Sequence, residues 1–350
     1  MESARRPRLT PPIADARRAV RGALEKLSEV GGSASQNRGQ DGAPEAAELL
    51  LVGLSGGADS LALAAATAFE APRAGFRAGA VIVDHGLQEG SAEVAERAAV
   101  QARELGLDPV LVRRVRVGDA PLERGGPEAA ARAARYGAFE QVLAETSARG
   151  ILLAHTLDDQ AETVLLGLAR GSGPTSMHGM SAHTGPYLRP LLGLRRADTE
   201  QFCADSGLEP WHDPHNNDRA YTRVKVRQLV LPVLEAELGP GVAEALARTA
   251  DQLREDSEAL DEMVLEFIEE ICEPAEAGIA VSAAALAANP AALRQRVIRF
   301  VVQSEFGVTL ERVHTLAVAE LVTNWHGQKA LNLPGVRVER NAGLIVFTAA

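Results

Sequence analysis

At 350 residues, 46% of them hydrophobic, the chain can bury one large core or two smaller ones, which points to a two-domain globular enzyme. No apolar run approaches the roughly 20 residues of a membrane helix, and no apolar stretch follows the basic first dozen residues, so neither a membrane span nor a secretory signal is expected and the cytoplasm is the expected location. Cys203 and Cys272 are too few and too far apart for a disulfide framework or a CxxC pair. The net charge of −11 argues globally against a nucleic-acid partner, yet eleven acids and one base fall within residues 251–278. The remainder is near neutral, with basic groups at Arg219, Arg223, Lys225 and Arg227 and at Arg294, Arg296 and Arg299. Taken by charge alone, those groups are equally a solvated helix surface.

Residues 12–29 have helical character, and residues 31–46, rich in Gly, Ser and polar side chains, read as a flexible segment. From Leu49 short apolar runs alternate with Ala-rich helical segments. The runs cover 49–54, 78–83, 109–115 and 150–154, and the helical segments lie near 59–70, 91–105, 127–147 and 159–170. This alternation predicts an α/β, doubly wound, mostly parallel sheet with helices on both faces and ligands at the carboxyl ends of the strands. After about residue 228 the pattern changes to amphipathic helices at 243–272, 283–303 and 308–324, closed by a hairpin around residues 341–343. The expected division is 1–46, an N-terminal helix and flexible segment; 47–228, the α/β domain; and 229–350, a smaller helical domain.

Ser55-Gly56-Gly57-Ala58-Asp59-Ser60 follows the first apolar run and opens a helical one. Two glycines allow a sharp turn and close backbone approach, and a helix N-terminus offers free N–H groups to an anion, so the segment reads as a phosphate loop. A Walker A loop would carry a Lys here, and this segment has none. Gly53-Leu54-Ser55-Gly56-Gly57 also fits the G-x-S-x-G elbow of serine hydrolases, but only polar sequence precedes the strand, where that fold needs further strands.

A second constellation, His155-Thr156-Leu157-Asp158-Asp159-Gln160-Ala161-Glu162-Thr163, leaves the fourth run and enters a helix. Asp159 and Glu162, three apart, share a helix face, with His155 just ahead of it. By itself the segment is equally a capped helix start with acids in its first turn. Further along stand Val83-Asp84-His85-Gly86-Leu87, Arg132 with Arg135-Tyr136, Arg170-Gly171-Ser172-Gly173, and Trp211 to Asp218 leading to Tyr221-Thr222-Arg223 and Arg227.

The S-G-G-x-D-S loop resembles that of the PP-loop ATP pyrophosphatases, and the whole series, over residues 45–235, resembles the tRNA(Ile)-lysidine synthetases of that superfamily. The resemblance implies ATP as co-substrate, with Ser55, Gly56, Gly57, Ala58, Asp59 and Ser60 on its phosphates and Asp59 helping to place Mg²⁺. It implies a tRNA(Ile) with a CAU anticodon and free L-lysine as partners. The C2 oxygen of the wobble cytidine would attack the α-phosphate, pyrophosphate would leave, and lysine would displace AMP at C2. His155, Asp159 and Glu162 would line the catalytic pocket, and Arg132, Arg135 and Arg223 would bind phosphate charge. The helical domain would carry the tRNA, through Arg294, Arg296 and Arg299 or the basic run at 219–227. Two departures stand out: Thr156 where the family often has a second His, and Arg223-Val224-Lys225-Val226-Arg227 where it has R-N-x-x-R. A metal site from Cys203, His212, Asp213 and His215 is disfavoured, because Asp-Pro and Asn-rich sequence makes turns. Another PP-loop adenylating enzyme of amidotransferase type, a nucleotide-binding module without turnover, and monomer against homodimer all stay open at this point.

Overall fold

The apolar runs form parallel strands, each leading into a helix. They are β1 (Leu49–Gly53) into α2 (Ala58–Glu70), β2 (Arg77–Asp84) into α3 (Ser91–Glu104), β3 (Val110–Arg114) into α4 (Gly126–Thr146) and β4 (Gly150–Leu152) into α5 (Leu157–Arg170). The structure, a computed structural model, describes residues 9–32, 47–86, 90–115, 126–171, 174–213, 218–275 and 278–350. The flexible segment expected at 31–46 lies outside these, apart from its first two residues, which end the N-terminal helix α1 (Pro11–Gly32).

The sheet order is β3-β2-β1-β4-β6-β5, where β5 (His183–Thr184) and β6 (Tyr187–Leu188), which follow the one-turn helix α6 (Pro174–Met177), are two-residue strands too short to read from sequence. Only the β5–β6 pair is antiparallel. Strand order reverses at β1, so the carboxyl ends of β1 and β4 flank the crevice where such sheets bind ligands. Strand alternation sorts the core into two layers. Leu50, Val52, Ala80, Ile82 and Leu152 pack toward α2 and α3 together with Ile13, Val20 and Leu24 of α1. Leu49, Leu51, Val81 and Ile151 pack toward Phe139 and Val142 of α4.

The chain divides into two compact units, Met1–Asp251 and Gln252–Ala350. The first extends past residue 228 because Leu231 of α9 (Leu231–Leu238) and Ala243 and Ala247 of α10 (Val242–Ile271) share a buried cluster with Leu157, Ala161 and Val226. The second unit is not purely helical. It carries an antiparallel sheet ordered β7-β8-β11-β10-β9: β7 (Cys272–Ala275), β8 (Gly278–Ser282), β9 (Leu331–Leu333), β10 (Val336–Asn341) and β11 (Leu344–Ala349). The expected hairpin is β10–β11. The helix read at 283–303 is broken into α11 (Ala283–Ala288) and α12 (Ala291–Phe306), because Pro290 removes a donor and keeps Asn289 out of the helical region. A last helix, α13 (Arg312–Thr323), packs beneath the sheet. Among the described residues no helix is long and apolar enough to cross a membrane.

Candidate active site

The loop between β1 and α2 is braced from within. Gly56 turns the chain at φ +84°, a conformation that suits glycine, and its carbonyl accepts from Trp211 N–H at 2.9 Å. Gly57 caps α2 in extended conformation. Ser60 Oγ, almost fully buried, donates to Gly57 O (2.9 Å), accepts from Ser55 N–H (3.2 Å) and lies 3.1 Å from Ser55 Oγ. The N-terminus of α2 therefore opens on the crevice with its peptide donors fixed, the arrangement that receives an anion.

Across the crevice β4 delivers His155 and the start of α5. Thr156, fully buried, is the N-cap: Asp159 Oδ2 accepts from Thr156 N–H at 2.9 Å and Asp159 N–H points back to Thr156 Oγ1 in a capping box. The short Thr156 hydroxyl closes this cap. Burial first, then Arg189, Arg132 and Arg135, push His155 down to about 4 against the pull of Asp159, so the imidazole is neutral at pH 7, and its buried Nδ1 has no partner. Burial would raise Asp159, but Arg196, the Thr156 N–H, His155 and Arg223 outweigh it and keep its carboxyl low.

An arginine cluster surrounds these acids. Glu162 is fully buried; its Oε2 meets Arg223 Nε and an Arg227 terminal nitrogen, both at 3.0 Å, and its Oε1 meets Arg227 Nε at 2.6 Å. Arg223 also donates to Thr163 Oγ1 (2.6 Å). Arg223 belongs to α8 (Thr222–Lys225) and Arg227 to a π turn at Val226–Val230, in which Leu231 N–H reaches back to Val226 O. Pro232 has no N–H for the carbonyl of Gln228, so the helix widens there by one residue. Val224, at the family's Asn position, is buried. From α7 (Arg196–Ser206), Arg196 reaches Asp159 Oδ1 at 2.9 Å and Asp59 Oδ2 at 3.4 Å. Burial would lower Arg196, and the acids Asp159, Asp59, Glu162 and Asp158 more than reverse it, so it stays charged. Asp59 accepts a second bond from Thr199 Oγ1, and burial first of all raises its carboxyl despite those partners.

These walls enclose a cavity of about 730 Å³ lined by Ser55, Gly57, Ala58, Asp59, Ser60, Arg132, Arg135, His155, Asp159 and Arg223, with Arg196 and Arg227. Its third side is the carboxyl end of β2. There buried Asp84 accepts from Gly86 N–H (2.9 Å) and pairs with Arg114 (3.7 Å), and the lining residue His85 has a buried Nδ1 without a partner. Arg132 lies exposed over the Tyr136 ring, 4.9 Å from its centroid, and donates to the Tyr136 hydroxyl at 3.2 Å.

Glu162 does not line the cavity: its carboxylate faces Arg223 and Arg227 behind the wall and fixes them in place. Gly56 is the turn itself, and a Cβ added there would face Ala98 and Trp211. No motif surrounds Arg196 or Thr199; the arginine pair Arg195-Arg196 at the start of α7 is the local signal the sequence offers. Cys203 is buried and donates to Ala58 O at 3.4 Å, and His215 lies outside the described residues. In the second unit, Arg294 donates to Leu286 O (3.4 Å) and Asn289 O (3.2 Å), and Arg296 pairs with Asp261 and donates to Ser257 Oγ (2.9 Å), so both are engaged within the unit.

Comparison with known proteins agrees with this geometry. Residues 33–234 match the PP-loop domain and residues 282–343 the TilS substrate binding domain. The chain is 69% identical to a tRNA(Ile)-lysidine synthase of Leifsonia xyli subsp. xyli over 85% of this chain and 89% of that one. It is 48% identical to the synthase of Thermobifida fusca over 97% and 98% of the two chains. Among solved structures, the U34-tRNA thiolase NcsA from Methanococcus maripaludis superposes with a TM-score of 0.52 at 17% identity over 68% of this chain and 80% of that one, a likeness of fold alone. The match agrees with the rejection of the serine-hydrolase reading: Ser55 belongs to a PP-loop domain, and its hydroxyl lies against Ser60. The loop, the acids of α5 and the matched domains lead to one conclusion: the chain belongs to the tRNA(Ile)-lysidine synthase family of PP-loop enzymes.

Proposed function

We propose that the cavity between the phosphate loop and α5 is where the chain carries out its family's reaction, ATP-dependent formation of lysidine in tRNA(Ile). The observation that carries this reading is the juxtaposition itself: a braced, Lys-free anion loop on one wall, and a neutral histidine with arginine-bound acids on the other. In this reading Ser55, Gly57, Ala58 and Ser60 hold the phosphates, and Arg132 and Arg135 neutralise charge that develops as pyrophosphate leaves. The C2 oxygen of the wobble cytidine of the CAU anticodon attacks the α-phosphate, and the ε-amine of free lysine then displaces AMP at C2. Neutral His155, with its unpartnered Nδ1, is suited to accept a hydrogen bond in the cavity. Asp159 and Glu162 keep Arg196, Arg223 and Arg227 in place around the reacting groups.

Mg²⁺ takes oxygen ligands and is commonly shared between one or two carboxylates and substrate phosphates. Asp59, in the first turn of α2 with lone pairs beyond those used by Thr199 and Arg196, fits that donor set. When bound, the ion would neutralise phosphate charge at the loop. The PP-loop portion would bind ATP, the second unit would carry the tRNA, and the enzyme would act in the cytoplasm. The test is release of labelled AMP on mixing the protein with Mg²⁺, ATP, lysine and a CAU-bearing isoleucine tRNA transcript. AMP formation that needs the RNA and is lost in Asp59→Ala, with lysine entering the RNA, is the expected result. AMP formation without RNA would redirect the search to a small-molecule acceptor, and no turnover at all would sink the catalytic reading.

A further inference from the structure

The phosphate loop and the acids of α5 come from separate parts of the sheet, and one side chain reaches both. Arg196 directs Nε toward Asp59 Oδ2 at 3.4 Å, one terminal nitrogen toward Asp159 Oδ1 at 2.9 Å and the other toward Glu162 Oε1 at 3.6 Å. Its backbone N–H donates to Asp158 Oδ2 at 2.7 Å, which ties the start of α7 to the start of α5. Arg223 and Arg227, by contrast, bond residues of α5. Two features argue that the cluster is more than an ion pair kept for stability. Arg196 is the first residue of α7, and a cation at a helix N-terminus opposes the helix dipole. Its side chain also lines the cavity beside Asp59 and Asp159, two of the carboxylates its fork holds.

We propose that Arg196 is a positioning residue: its fork holds Asp59, on the phosphate-loop side, in fixed register with Asp159 and Glu162 on α5, so that ATP and the acceptor meet in reacting geometry. The inference rests on the reading of the cavity given above. A guanidinium suits the task because its donors are planar and fixed, whereas an ammonium is a point charge that meets such a set one contact at a time.

The test compares wild type with Arg196→Ala and Arg196→Lys in tRNA-dependent AMP formation, together with the rise in melting midpoint on adding Mg·ATP. Arg196→Ala is expected to lose about 100-fold in kcat, the scale of a misplaced reacting group, with KM for ATP held within about threefold. The Mg·ATP-induced rise is retained, since the phosphates rest on the loop. Arg196→Lys recovers part of the loss, and added guanidinium raises the rate of Arg196→Ala without raising that of wild type. A folded alanine variant with wild-type kcat would overturn the proposal. So would a rise in KM at unchanged kcat or loss of the Mg·ATP-induced midpoint rise, either of which makes Arg196 a ligand of ATP. Full recovery by lysine would show that the fork is not needed. If the alanine variant does not fold, Arg196→Gln replaces it on the same readouts. A silent wild type would sink the activity reading and the positioning role with it, whereas an active wild type beside indifferent variants sinks the positioning role alone.

Discussion

The two walls of the cavity are built in opposite ways. The turn of the phosphate loop is held locally: Ser55, Gly57 and Ser60 bond one another across five residues, and the distant bonds, from Trp211 to Gly56 O, from Cys203 to Ala58 O and from Thr199 and Arg196 to Asp59, come from neutral donors save Arg196. The carboxylate–arginine wall is assembled from α5, α7, α8 and the π turn, and holds fully buried Glu162 between side chains 61 and 65 residues away. A local loop tolerates loss of a partner by small adjustment. A buried charge cluster does not, because an ion left without its counterion keeps the cost of desolvation without the attraction that offset it. Stability should therefore be concentrated in the wall that the sequence displays least.

Glu162 carries the largest expected effect. Replacement by Ala strands Arg223 and Arg227 and is expected to cost about 3–5 kcal/mol of unfolding free energy by denaturant titration. Glu162→Gln keeps one accepting oxygen and is expected to cost about 2–3 kcal/mol. Equal melting curves for wild type and both variants would contradict the account of this wall. Ser60→Ala, in the other wall, leaves Ser55 N–H without its partner and should cost about 1–3 kcal/mol. An order that placed Ser60→Ala above Glu162→Ala would reverse the comparison.

The difference between the walls also explains what was legible in the sequence. β1 to β4 and their helices were readable because apolar runs ended in glycines or turn residues, and the phosphate loop because its six residues are contiguous. Asp159 and Glu162 were readable by spacing on one helix, but not the outcome that Asp159 faces the cavity while Glu162 lies behind it; that depends on Arg223 and Arg227. Arg196 was not readable, because its partners lie 37 and 137 residues away and no local pattern records such a contact. In the second unit β7 contains Pro274 and β9 has three residues, so neither gives a strand signal, whereas Pro290 marks the break between α11 and α12 in the sequence itself.

His155 separates the walls by pH. Its native value of about 4 lies below the usual value near 6.5, so between the two the unfolded chain binds more protons than the folded one. Stability is thus expected to fall as pH drops through 6.5 toward about 4, where the contribution is fully lost. His155→Gln should flatten that part of the curve, measured as melting midpoint against pH. Gln160→Ala, which instead removes the 2.8 Å bond from the Gln160 amide to Met180 O, should lower the midpoint without flattening it. Identical pH slopes for wild type and His155→Gln would remove histidine burial from the account.

The smallest expected effect belongs to the turn of the phosphate loop. At Gly56 an added Cβ would meet Ala98 Cβ at 3.6 Å and Trp211 Cβ at 3.9 Å, ordinary contacts, so the cost of Gly56→Ala is confined to its φ of +84°. That strain amounts to about 1–2 kcal/mol for an L residue. If the loop can adjust to relieve it, the melting midpoint falls little, but the Gly56 carbonyl then loses its bond from Trp211 N–H and the loop moves away from its phosphate-binding shape. KM for ATP should rise while stability barely changes, the reverse of the outcome expected for Glu162. A Gly56→Ala enzyme with unchanged KM and a midpoint as low as that of Glu162→Gln would mean that the loop is held rigidly by its surroundings, and that the contrast between a local and an assembled wall is wrong.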